Sequence, residues 1–190
     1  MHALSPVHLI VNGKQGHCPV GAVADKFVPS DQIKAMNTSS LPKPFALYFL
    51  LLLLLALGTG GIYGGFLLTD DPSGRLLQMP ISALRTSPFR DFLIPGVVLL
   101  FFNGILPLLI AYGLMVQPAW KWPEWFNIYP NRHWAWTFSL YCGIILAIWI
   151  NVQLLILGPP YSPLQAIFSL WATALIIFTM WPGVMRYYER

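Results

Sequence analysis

Polar and apolar positions in this chain separate into long blocks. Phe45–Leu68, Phe92–Val116, Trp134–Leu157 and Leu164–Pro182 each run for at least 19 residues without Asp, Glu, Lys or Arg. A bilayer core about 30 Å thick takes roughly 20 helical residues to cross. Backbone polar groups in lipid also need internal partners, which favours helices. The pattern therefore predicts four transmembrane helices, at about 45–68, 88–116, 134–157 and 164–182. The expected fold class is all-α: a polytopic membrane protein whose four helices form a compact bundle over residues 41–190. Composition agrees. Only 9% of the 190 residues are charged, against roughly 25% in soluble domains, too few to cover a water-facing surface.

The stretch GTGGIYGGFLL, residues 58–68, puts five glycines into one of these blocks. A dinucleotide loop would need glycine where Tyr63 stands, and would open a helix after a strand. This segment instead continues a leucine run, Leu50–Leu55, which favours insertion by about 2–3.5 kcal/mol. Gly60 and Gly64, like Gly61 and Gly65, have the small-xxx-small spacing that lets helices approach closely. They are read as packing glycines, together with Gly104.

Topology follows from Lys and Arg near the membrane ends. Lys34, Lys43, Lys121, Arg132, Arg186 and Arg190 fall on one side, against Arg75, Arg85 and Arg90 on the other. The bias predicts both termini in the cytoplasm of a multi-pass protein of the inner (plasma) membrane. Trp120, Trp122, Trp125, Tyr129, Trp134, Trp136, Trp181, Tyr187 and Tyr188 gather at the same end, where a headgroup-level aromatic belt is expected.

Residues 1–40 mix His, Lys, Asp, Gly and Pro without a sustained period and read as a poorly ordered cytoplasmic tail. His2, His8, His17 and Cys18 fit no zinc spacing. Nothing upstream of Met36 looks selected for structure, so translation from Met36, giving MNTSSLPKPF, is an expectation. A secretory leader is not expected, because the first long apolar run starts only at Phe45. Cys18 and Cys142 are the only cysteines, and their placement makes a structural disulfide improbable.

The one long connection, Thr69–Asp91, carries Asp70, Asp71, a Pro-Ser-Gly turn and then LLQMPISALRTSPFRDF. Pro80 suits the first turn of a short helix. Ser87 and Pro88 suit a cap and first position, so the second membrane helix is expected to begin near Pro88. Pro95 and Pro107 then fall inside it and are expected to kink it. Arg90 is expected to snorkel and Asp91 to cap.

Chemistry is sparse. Ionisable residues inside a membrane are the usual mark of a functional site, and these four blocks hold no acid, Lys, Arg or His before the aromatic end. Ser139 and Ser169 have no base beside them for nucleophilic work. The remaining polar groups suggest a small vestibule for a polar solute or lipid headgroup, formed in the outer third by Tyr63, Asn151, Gln153, Gln165 and Ser169, with Asn103 deeper, near the midplane. It would lie beneath a loop charged by Asp70, Asp71, Arg75, Arg85, Arg90 and Asp91. The alternative for these residues is interhelical hydrogen bonding, about 0.6 kcal/mol per contact.

The motifs DPSG at 71–74, SPFRDFLIPG at 87–96 and WINVQLLILG at 149–158 resemble those of a group of small four-helix bacterial membrane proteins of uncharacterised activity. The resemblance covers about residues 45–185. It implies the four-helix fold and a bacterial inner-membrane location, and no reaction.

Two functions are weighed. The first is a non-enzymatic accessory or scaffold subunit, in contact with the lipid bilayer and with a membrane-protein partner or a second copy. The second is an oligomeric facilitative transporter or channel for a small polar solute, lined by Asn103, Asn151 and Gln153. A lipid-modifying enzyme built on Asp70 and Asp71 is the weakest reading, since paired acids beside Pro-Ser-Gly are usual turn residues. No catalytic residue, metal, cofactor or nucleic acid is expected.

Overall fold

The computed structural model describes residues 43–85, 87–157 and 163–190. The expected tail and the Met36 start lie outside them. Among the described residues the chain is helical, with no strand and a single bridge between Arg132 and Glu189.

Helix α1 runs Phe45–Asp70. Pro44 precedes its first turn, where the missing N–H costs nothing, and its carbonyl accepts the Leu47 amide at 2.9 Å. The leucine run supplies strong helix formers, and Asp71-Pro72 ends the helix. Helix α2 spans Leu93–Val116. Helix α3 runs Trp134–Leu157, α4 Pro163–Thr179 and the short α5 Pro182–Tyr187. Three helices are long and apolar enough to cross a membrane: α1, α2 and Trp134–Leu155 of α3. The fourth, α4, is apolar but only 17 residues long, about 25 Å at 1.5 Å per residue. It stops short of the expected 182 because Trp181 turns extended before Pro182, which starts α5.

The expectations for α2 need two corrections. Its helix begins at Leu93 and not at Pro88. Ser87 spends its hydroxyl on a turn, donating to the Leu84 carbonyl at 2.9 Å and accepting the Phe89 amide at 3.2 Å. Pro95 therefore falls in the first helical turn, where it is tolerated, and does not break the helix. Pro107 is met differently. It offers no N–H to the carbonyl of Asn103, and the preceding Leu99–Ile105 winds as a π-helix, with the Leu106 amide reaching the Phe101 carbonyl. Such wide turns are uncommon and concentrate at functional or strained places.

Helix α1 lies against α2, and α3 against α4, with α1 also meeting α4 and α2 meeting α3. The α1–α2 crossing depends on glycine. A Cβ on Gly61 would collide with the Asn103 carbonyl, one on Gly65 would stand 2.7 Å from Leu100 Cα, and one on Gly104 2.9 Å from the Ile62 nitrogen. The other glycine row is not needed for this close approach. A Cβ on Gly60 meets nothing within 4 Å, and one on Gly64 makes only ordinary contact with Leu99. The two rows are one residue apart, a rotation of about 100° on a helix, so only one can face α2. Leu50 and Leu54 of α1, Ile110 of α2, Cys142 of α3 and Leu175 of α4 form the centre of the core. The outward faces stay apolar, as at Phe66, Leu155 and Leu170, which suits contact with a lipid bilayer.

Candidate functional site

Two polar structures close the ends of the helices, one built on the loop Asp71–Phe92 and one on the α2–α3 connection.

In the first, the DPSG turn is tied by its own side chains. The Asp71 carboxylate accepts the Ser73 amide at 3.1 Å, the Ser73 hydroxyl at 2.5 Å and Arg75 Nε at 3.3 Å. These bonds, the Ser73 hydroxyl first, hold its carboxyl below the usual carboxylate range. Gly74 sits at φ 78, and a Cβ there would stand 2.6 Å from the Met79 carbonyl and 2.9 Å from the Phe92 ring. Only glycine fits both the conformation and the space. The Phe92 amide donates to the Pro72 carbonyl at 2.9 Å, so the DPSG and SPFRDFLIPG motifs meet. Leu68, Leu84 and Phe92 form a small second core beneath them. Asp91, expected in the first turn of α2, lies just before it, with Phe92 at the N-cap position; its carboxylate accepts the Leu93 amide at 3.0 Å.

Above this platform opens a cavity of about 400 Å³ lined by Ile81, Ser82, Leu84, Arg85, Ser87, Phe89 and Arg90. Its lining combines two arginines and two serines with three apolar residues. The loop's other charges lie elsewhere: Arg75 is paired with Asp71, and Asp70 is exposed at the end of α1. The sequence marks Arg85 and Arg90 as charges of the loop above the expected vestibule, but not as neighbours around one hollow, because that turn depends on Gly74 and the distant Phe92.

The six vestibule residues differ in exposure. Tyr63 is 68% exposed. Asn151 is also exposed and returns its amide to the Ala147 carbonyl of its own helix at 2.8 Å. Gln153, Gln165 and Ser169 are half-buried on α3 and α4. Asn103 is 1% exposed, inside the packed core. Depth along each helix axis follows from residue counting, whereas the direction around the axis depends on packing, and here it separates Tyr63 and Asn151 from Asn103. Asn103 is unusual in another respect: among the described residues neither its Nδ2 nor its Oδ1 has a hydrogen-bond partner.

At the opposite end, the aromatic residues do more than form a belt. Trp125 is 89% exposed, and Trp122 and Trp181 are about half exposed, but Trp134, Trp136 and Tyr188 are buried. Trp134 stacks on Trp120 with centroids 5.6 Å apart and donates to the Pro118 carbonyl at 3.1 Å. Trp136 donates to the Thr179 carbonyl at 2.8 Å, with the Arg132 guanidinium 4.3 Å above its ring. Tyr188 donates to the Leu114 carbonyl at 2.6 Å, and Arg190 pairs with Glu124 at 2.9 Å. The last residues are thus fastened to the α2–α3 connection. His133 lies in this joint, 5% exposed. Its amide donates to the Tyr188 carbonyl at 3.0 Å, and its Nδ1 accepts the Ala135 amide at 3.2 Å. Burial, and then the nearby Arg190 charge, hold its pKa below the ordinary value.

Among the described residues no group of His, Cys, Asp and Glu is placed to hold a metal ion. In comparisons with known proteins, no family model, curated protein or solved structure matches the chain.

Proposed function

We propose that this is a non-enzymatic integral membrane protein of four spans, an accessory or scaffold subunit that works by associating with other membrane helices. The observation that carries the reading is where the polar side chains of the helices go. Trp171 donates to the Leu53 carbonyl at 3.2 Å, Trp136 to Thr179, Thr179 to Ser139 at 3.3 Å, and Ser139 to the Trp136 carbonyl at 2.7 Å. Thr59 and Thr173 bond carbonyls of their own helices. The two indoles and the Thr179 hydroxyl are spent on joining helices, and the other hydroxyls on carbonyls of their own helices. Gly60, left open on α1, lies on the face to which another helix has access, and a second copy is the proposed occupant because a small-residue row is self-complementary about a two-fold axis.

The charge bias supports both termini on the cytoplasmic face. The resemblance of the DPSG and SPFRDFLIPG motifs supports the bacterial inner membrane as the location. Native mass spectrometry of the protein released from its own membrane without delipidation tests the proposal. A fixed assembly mass is expected, whereas a monomer retaining one discrete polar solute would overturn it.

One observation favours a second reading, a facilitative path for a small polar solute: the unpartnered amide of Asn103 within the π-helical turn. Asn103→Leu distinguishes the two. Assembly persists under both readings, but solute flux disappears only under the second.

A further inference from the structure

We infer that the cavity between Arg85 and Arg90 binds a phosphate group, carried by the headgroup of an anionic lipid. Arg85 and Arg90 both line one hollow of about 400 Å³, together with Ser82 and Ser87. No acid is among its lining residues, and the nearest acids in sequence are engaged: Asp91 accepts the Leu93 amide, and Asp71 is held by Ser73 and Arg75. Two arginines lining one concavity that has no carboxylate among its lining residues favour an anion. Their planar, fixed donors suit phosphate oxygens.

The other half of the lining says what carries the phosphate. Ile81, Leu84 and Phe89 form an apolar wall. Leu84 and Phe89 belong to the small core that continues into Leu68 and Leu99 of the apolar helices. Charge and hydrocarbon are therefore adjacent at the end of α2, where a headgroup meets its acyl chains. A free phosphate would use the arginines and leave the wall idle. The inference rests on the membrane reading and not on self-association, so either can fail alone.

The test uses the full-length protein in nanodiscs of phosphatidylcholine containing a minority of phosphatidylglycerol, with retained lipids counted by native mass spectrometry. Wild type is expected to keep phosphatidylglycerol in preference to phosphatidylcholine. Arg85→Gln and Arg90→Gln should each weaken that preference about five-fold, and the pair about thirty-fold, the effect of ~1 kcal/mol per basic residue at a membrane surface. Lys121→Gln, at the opposite end, should leave it unchanged. Both arginine positions are exposed, so the variants keep the wild-type melting temperature. In a second arm, inorganic phosphate is titrated onto the protein in phosphatidylcholine alone. Binding as tight as that of phosphatidylglycerol would overturn the lipid assignment. Equal retention of both lipids, or a preference that survives the double substitution, would overturn the site.

Discussion

The Phe92 amide donates to the Pro72 carbonyl across 2.9 Å. The loop between them is thereby closed into a platform that sits on the ends of α1 and α2. Gly74 allows the closure, because its φ of 78 and the nearby Phe92 ring leave no room for a side chain.

Gly74→Ala should therefore be costly, since the position is buried within the turn. The left-handed conformation alone costs about 1–2 kcal/mol, and the contact with the Met79 carbonyl adds to it. A chemical-denaturation series in detergent should show a loss of about 2 kcal/mol or more. A loss below roughly 0.5 kcal/mol would mean that the platform is looser than described.

The two glycine rows of α1 should respond oppositely. Gly61→Ala drives a methyl into the Asn103 backbone and should destabilise by about 1–3 kcal/mol, as overpacking does. Gly60→Ala meets open space, and alanine is the better helix former, so folding stability should be unchanged or slightly higher. Thermal unfolding of both variants in the same detergent makes the comparison.

Asn103→Leu should raise stability by about 1 kcal/mol. A buried amide without partners carries its desolvation cost unrelieved, and an apolar group of similar volume removes that cost. Equilibrium unfolding in detergent measures it, and a loss instead of a gain would show that the amide has a partner in the folded protein.

Stability should also fall with acid in a defined range. Folded His133 binds its proton less readily than the unfolded chain, because it is buried near Arg190, with Glu124 only partly opposing. The unfolded state therefore takes up more protons as pH drops through the ordinary histidine value of 6.5, and stability declines below it. Above that pH the contribution is complete. His133→Gln should flatten the melting-temperature profile there. Asp71, also lowered, contributes its own loss only near and below 3.8, well separated from the first.

Much of the helical content is legible in the sequence, since α1 and α3 start where their apolar blocks start, at Phe45 and Trp134. The faces are not. The helices are apolar all round, so spacing alone cannot distinguish Gly60 and Gly64 from Gly61 and Gly65, and depth alone cannot tell that Tyr63 faces outward while Asn103 is buried. Proline positions mislead for a related reason. Ser87-Pro88 has the chemistry of a helix start, but the Ser87 hydroxyl is used in a turn, and tertiary closure by Phe92 sets the true start at Leu93. Trp134 and Trp136 read as belt residues from their type and location. Their burial depends on Gly113, where a Cβ would collide with the Trp134 ring, and on the returning residue Tyr188. Arg85 and Arg90 were visible as charges, and their shared cavity only through the folded loop.

The most direct measurement is the native mass of the protein taken from its own membrane with its lipids, compared between wild type and Gly60→Ile. Association through the open face of α1 predicts a fixed multiple of the chain mass for wild type and a shift toward monomer for the variant, with folding intact. A wild-type monomer that carries one small polar solute would contradict the account.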